Sequence, residues 1–114
     1  MCSSDLASLW QGVSGTNNPC PAGFRIPTEA EFNAEISSWG SQNEAGAYAS
    51  PLKLTVAGYR DYSNGLLNLV NGGGFYWSNT INTTLSRCLI LDGSTATLDQ
   101  SDRARGMSVR CIKD

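Results

Sequence analysis

The spacing of apolar residues changes along the chain, and each change marks an element. Phe32, Ile36 and Trp39 recur at helical spacing and form one apolar face. Thr28 precedes that face and Glu31 follows three residues later, the pairing of a capping box, while Gly40 supplies a stop. The pattern predicts a helix over residues 29–39. A second, shorter helix is expected from Ser41, with Glu44 as its box partner, through Ala45, Ala47 and Tyr48 to a stop at Pro51. Residues 1–19 show no strong period, and Gly15 to Pro19 reads as loop.

After Pro51 the period falls to two. Leu52, Leu54 and Val56 alternate with Lys53 and Thr55, as in a half-buried strand. Tyr59-Arg60 leads to a turn at Ser63-Asn64-Gly65, from which Leu66 to Val70 return as the partner strand. Asn71 to Gly74 break that strand, and Phe75-Tyr76-Trp77 begin another. Ser86–Leu91 and Ser94–Leu98 are expected as strands about an Asp92-Gly93 turn. A polar turn over Ser101–Gly106 then leads to a closing strand, in which Met107, Val109 and Cys111 alternate with Ser108 and Arg110. Helices followed by meandering antiparallel strands describe an α+β fold. With no repeat or internal linker, residues 1–114 read as one domain.

Composition narrows the function. Only 16% of residues are charged and 12 are glycine, which suits a loop-rich fold with an uncharged polar surface. A net charge of −2 argues against nucleic acid, which is bound through clustered Lys and Arg. Arg103, Arg105 and Arg110 do fall close together, but Asp99 and Asp102 lie beside them. No apolar run approaches the roughly 20 residues that span a bilayer, so no membrane insertion is expected. Met1 is followed directly by Cys2 and small polar residues, with no signal peptide. The expectation is a domain excised from a larger polypeptide, with any export signal outside it.

Histidine is absent, which removes the commonest general base and the commonest nitrogen ligand for metals. Cys2, Cys20, Cys88 and Cys111 lie far apart and form no C-x-x-C pair, so neither a zinc site nor any cofactor is expected. Their even number favours disulfides and an oxidising, extracellular compartment.

Three islands carry a resemblance: Asn18-Pro-Cys-Pro-Ala-Gly-Phe-Arg-Ile-Pro-Thr-Glu-Ala-Glu-Phe32, then Gly58-Tyr-Arg60 with Phe75-Tyr-Trp-Ser78, and finally Gly106-Met-Ser-Val-Arg-Cys-Ile112. Together they resemble the Fibrobacter succinogenes major paralogous domain family, close to the DUF1566-type domains, from about residue 18 to the end. The resemblance implies a C-type-lectin-like fold, with one or two N-terminal helices packed on a twisted antiparallel sheet with long loops. It also implies a secreted, bacterial-surface or phage protein. Some relatives are targets of diversity-generating retroelements, which vary the segment between the Tyr-Trp-Ser island and the final Val-Arg strand, here Asn79 to about Arg105. In such folds a disulfide ties the first helix to the last strand, which pairs Cys20 with Cys111. Closing a loop of about 90 residues is worth roughly 4–5 kcal/mol in the chain-entropy model. Cys2–Cys88 is then the default second pair, with the other connectivities and a free Cys88 thiol left open.

Residues 79–105 are the candidate recognition segment. Asn79, Asn82, Thr84, Asp92, Ser94, Thr97, Asp99, Arg103 and Arg105 are its candidate ligand-binding residues. Short polar side chains donate and accept hydrogen bonds with little entropy to lose, which suits adaptable recognition on a rigid sheet. The competing reading is a solvated strand edge and its turns. Phe32 and Trp39 are expected in the core, and Tyr76-Trp77 as an anchor of the sheet. Arg110 is expected to pair with a carboxylate or brace a loop carbonyl. A calcium lectin needs Glu-Pro-Asn or Gln-Pro-Asp and Trp-Asn-Asp triplets, and none occurs; a non-standard oxygen site would draw on Asp92, Asp99 or Asp102. No paired carboxylates suit acid–base work, and only Arg87 stands next to Cys88, so no enzyme is expected. The reading is a non-catalytic recognition domain for a protein or glycan receptor. Its alternatives are a passive module of a larger surface protein and a cysteine enzyme like the formylglycine-generating enzymes.

Overall fold

The structure, a computed structural model, describes residues 19–82, 85–102 and 105–113. Its elements run Phe24–Arg25 (β1), Glu29–Ser38 (α1), Glu44–Ala49 (α2), Tyr59–Arg60 (β2), Leu67–Asn68 (β3), Gly74–Asn82 (β4), Leu85–Leu91 (β5), Ala96–Asp102 (β6) and Ile112–Lys113 (β7). The α+β class is as expected. The single meander is not, because the strands divide into three antiparallel sheets: β1–β7, β2–β3 and β4–β5–β6.

Helix α1 follows from its local sequence. The Glu31 amide donates to Thr28 Oγ1 at 3.1 Å and the Thr28 amide donates to Glu31 Oε1 at 2.8 Å, so the capping box is complete. Phe32 and Ile36 are buried. Trp39, extended rather than helical, ends the helix one residue early; its ring stays buried while Nε1 donates to Glu35. The cap of α2 is Asn43 rather than Ser41, and its Oδ1 accepts from the Gly46 amide at 3.1 Å. Packing explains the shift: a Cβ on Gly46 would lie 1.7 Å from the Ser41 carbonyl oxygen, so Ser41 folds back over the helix.

Phe32, Ile36, Trp39, Ala47, Leu54, Tyr76, Leu89 and Leu91 form the core, flanked by Leu52, Val56, Ala96 and Leu98. The helices thus cover one face of β4–β5–β6. Leu54 is buried, with Leu52 and Val56 half-buried and Lys53 and Thr55 exposed, but these residues form no strand. Instead of pairing with a neighbour, Thr55 gives its amide to the Tyr76 hydroxyl (2.8 Å) and accepts from it at its carbonyl (3.0 Å). The expected Leu66–Val70 strand shrinks to β3, because Leu69 and Asn71 take positive φ and turn the chain. The hairpin closes on Gly58 (φ +77°), where a Cβ would lie 2.3 Å from the Asn68 carbonyl oxygen.

The expected closing strand over Met107–Cys111 does not form, and β7 follows it at Ile112–Lys113. Met107–Cys111 is held by separate bonds: Ser108 to Phe75 and Trp77, and Arg110 Nε to the Leu52 carbonyl at 3.1 Å. Arg110 therefore braces a loop carbonyl, one of its two expected roles. Strand β6 lies further along than Ser94–Leu98 and takes in the start of the expected polar turn. Among the described residues no helix is long and apolar enough to cross a membrane.

Two kinds of bond lock the frame. Cys20 and Cys111 form a disulfide beside the β1–β7 ladder. Cys88 is a buried free thiol in register between Trp77 and Asp99, and the default second pair, Cys2–Cys88, draws on Cys2, which lies outside the described residues. Arg25 pairs with both Glu31 oxygens at 2.6 Å, and Arg87 with Glu29 at 2.6 Å, tying β1 and β5 to the first turn of α1. Acidic residues there also complement the helix dipole.

Replacing Cys111 with Ser should cost about 4–5 kcal/mol, since the bond closes 91 residues of sequence separation. Urea unfolding with and without reductant measures this; equal midpoints would show that the bond does not constrain the unfolded chain. The Arg25 hydrogen bonds hold the Glu31 carboxyl down from 4.5 to about 2. The pair's stabilisation is therefore complete above about pH 4.5 and is lost as pH falls towards 2. With Glu31 38% exposed, screening limits this to about 1 kcal/mol. Arg25→Met should flatten this acid limb in urea midpoints measured between pH 5 and 2.

Candidate functional site

Strand β6 ends the three-stranded sheet and carries Thr97 and Asp99 of the recognition segment. Its residues alternate. Ala96 and Leu98 pack on the core, while Thr97 and Asp99 are exposed on the face shared with Ile90 and Cys88. Gln100 is exposed as well. At the turn before β6, Ser94 is exposed and Asp92 half-buried.

The candidate residues divide by role. Asp92 organises the turn, because its Oδ1 accepts the Ser94 and Thr95 amides, each at 2.8 Å. Those amide bonds hold the Asp92 carboxyl below its ordinary range. The Asp92 carbonyl also accepts the Glu44 amide at 2.7 Å, anchoring α2 to the hairpin. Asn79 is buried, and its amide donates to the Pro27 carbonyl at 2.9 Å. It sits where the β4–β5 ladder slips between Trp77 and Ile81, and in that irregular stretch Thr80 Oγ1 accepts the first amide of α1 from Glu29. Asn82 stands at the end of β4, while Thr84 and Arg103 lie outside the described residues. Ser94, Thr97 and Asp99 are thus brought to one edge of the domain, and Asn79 is not.

Arg105 lies among aromatic rings. Its guanidinium carbon is 4.9 Å from the centre of the Tyr59 ring and 5.4 Å from that of Tyr62. Gly106 fixes the position by exchanging backbone hydrogen bonds with Arg60, at 2.7 and 2.9 Å. Tyr59 in turn packs edge-on against Phe75 at 4.8 Å. Tyr62 is exposed. Neither tyrosine was among the sequence candidates, since only the fold brings them to Arg105.

Across the sheet, Trp77, Cys88 and Asp99 stand in register on three strands. Burial, with the Asp99 charge second, pushes the Cys88 thiol up to about 11, so it is protonated at neutral pH. Among the described residues no three His, Cys, Asp or Glu side chains converge as metal ligands. What the described edge offers is short hydroxyl, amide and carboxylate groups for hydrogen bonding.

No family model matches this chain, and no curated protein or solved structure does.

Cys88 should resist iodoacetamide at pH 7.5 in the native domain and react fully once the protein is unfolded in urea. Peptide mapping after differential alkylation distinguishes it from Cys2; rapid native labelling of Cys88 would contradict its burial and raised pKa.

Proposed function

We propose that the chain is a non-catalytic recognition domain that binds a protein or glycan receptor along the exposed edge of residues 79–105. The observation that carries this reading is the division of labour on β6. Ala96 and Leu98 hold the strand to the core, while Thr97 and Asp99 between them face outward. Outward positions of this kind change without disturbing the packing beneath, as a rigid scaffold for variable contacts requires. In the same reading the domain is a C-type-lectin-like member of the Fibrobacter succinogenes major paralogous domain family, carried by a secreted, cell-surface or phage-tail protein. Residues 79–105 are then a retroelement-diversified segment. The Cys20–Cys111 bond is compatible with such a location. The buried, protonated Cys88 supports recognition over a cysteine-based reaction.

A passive module of a larger surface protein is the second reading. It is favoured by one observation: Leu66, Leu67, Leu69 and Val70 are 63%, 58%, 56% and 51% exposed. An apolar stretch of that kind suits a seat against neighbouring protein.

The deciding experiment is a glycan-array and cell-surface binding screen of the wild-type domain and a folded variant with Ala at Ser94, Thr97, Asp99 and Gln100. Asn79 is left unchanged because it is buried. A loss of about tenfold or more in the variant is expected if recognition uses this edge. Full retention would move the site elsewhere, and no binding by either protein would favour the passive module.

A further inference from the structure

We propose that Tyr59, Tyr62 and Arg105 form a subsite for a carboxylate-bearing sugar. The inference rests on the recognition reading for its premise that the domain takes an external ligand, and it names the chemistry of one end of that surface.

Arg105 brings a permanent charge that its surroundings leave unmatched. Among the residues whose side chains are described, no carboxylate lies within ion-pair distance of it, whereas Arg25 and Arg87 each have one. Asp61 senses the Arg105 charge, but its Oδ1 is occupied by the Ser63 amide at 2.7 Å and hydroxyl at 2.6 Å. Arg105 Nε is buried and meets no acceptor among the described residues, so the donors it leaves for a ligand are the terminal N–H groups of the guanidinium. A guanidinium with spare donors matches a planar carboxylate by paired N–H bonds. Backbone bonds between Gly106 and Arg60 fix the adjoining main chain, and the guanidinium lies over the Tyr59 and Tyr62 rings, which limits the ordering cost of binding.

The tyrosines select the rest of the ligand. Tyr59 is fixed against Phe75, while Tyr62 is 54% exposed beside the same guanidinium. An exposed aromatic ring offers an electron-rich face to the C–H groups on one side of a pyranose. The side chains of aspartate and glutamate have no comparable face. Charge and ring together therefore favour a uronic or sialic acid over an acidic peptide.

The test is titration calorimetry of the whole chain with N-acetylneuraminic acid and glucuronic acid, their methyl esters, and a glutamate-rich peptide. Both acids should bind at least tenfold more tightly than their esters. Tyr62→Ala and Arg105→Gln should each lose about tenfold or more, and Arg105→Lys should recover part of the Arg105→Gln loss, because charge remains without the planar fork. Circular dichroism melts confirm folding, and the exposed Tyr62 variant keeps the test valid if an Arg105 change unfolds the domain. Equal affinity for acid and ester, unchanged affinity in Tyr62→Ala, preference for the peptide, or no sugar binding at all would each overturn the subsite. If the β6 alanine variant loses receptor binding while Tyr62→Ala and Arg105→Gln do not, the subsite fails and the recognition reading stands. If wild type binds neither receptor nor sugar, both fail.

Discussion

The Cys20–Cys111 bond joins two stretches of chain that lie 91 residues apart in sequence. The β1–β7 ladder beside it spans two residue pairs, and β2–β3 spans two more. Ladders that short are marginal without support. Among the described residues only β4–β5–β6 is a substantial sheet, and the core beneath it is a single small cluster. A chain with so many irregular connections has a large conformational entropy to overcome, and closing its ends lowers the entropy of the unfolded state instead of adding native contacts. Irregular loops become tolerable inside such a closure.

Tyr76 supplies a second constraint, from the inside. Its ring lies in the core while its hydroxyl serves both the amide and the carbonyl of Thr55. A segment that would otherwise need a partner strand is thereby held over the sheet by one side chain. This explains why the alternation of Leu52, Leu54 and Val56 was legible as burial and misleading as a ladder. Period-two patterning reports which face is covered and says nothing about what satisfies the backbone. Helix α1 was readable because its signals are local: Thr28, Glu31 and the Phe32–Ile36–Trp39 face. Helix α2 was less so, since Ser41 and Asn43 are both competent caps. The close approach of Ser41 to Gly46 decides between them, a local contact that the capping pattern does not show.

The candidate site was legible in part for a related reason. Thr97 and Asp99 alternate with Ala96 and Leu98, so their outward placement follows from strand geometry once the strand is recognised. Asn79 and Asp92 carry the same short polar chemistry and sit in the same segment, yet Asp92 spends its carboxylate on backbone amides and Asn79 is buried beside Pro27. Short polar side chains serve backbone and ligand equally well, and sequence alone does not separate the two uses. The Tyr59–Tyr62–Arg105 cluster had no sequence signal, because the β2–Gly106 bridge that creates it joins distant parts of the chain.

An edge strand that serves as a recognition surface must meet two demands at once. Exposed strand edges recruit other strands, and natural proteins blunt them with charge, polarity or cover. Thr97, Asp99 and Gln100 meet that demand on β6 while also offering hydrogen-bonding groups to a ligand. Apolar substitutions at these positions would gain contact area and lose the protection. Leu66, Leu67, Leu69 and Val70 show the opposite choice, being apolar and exposed beside a two-residue hairpin. Nothing in their chemistry discourages contact with protein. The two surfaces therefore differ in the interaction they invite: a selective, polar one at β6 and a broad, apolar one at β3.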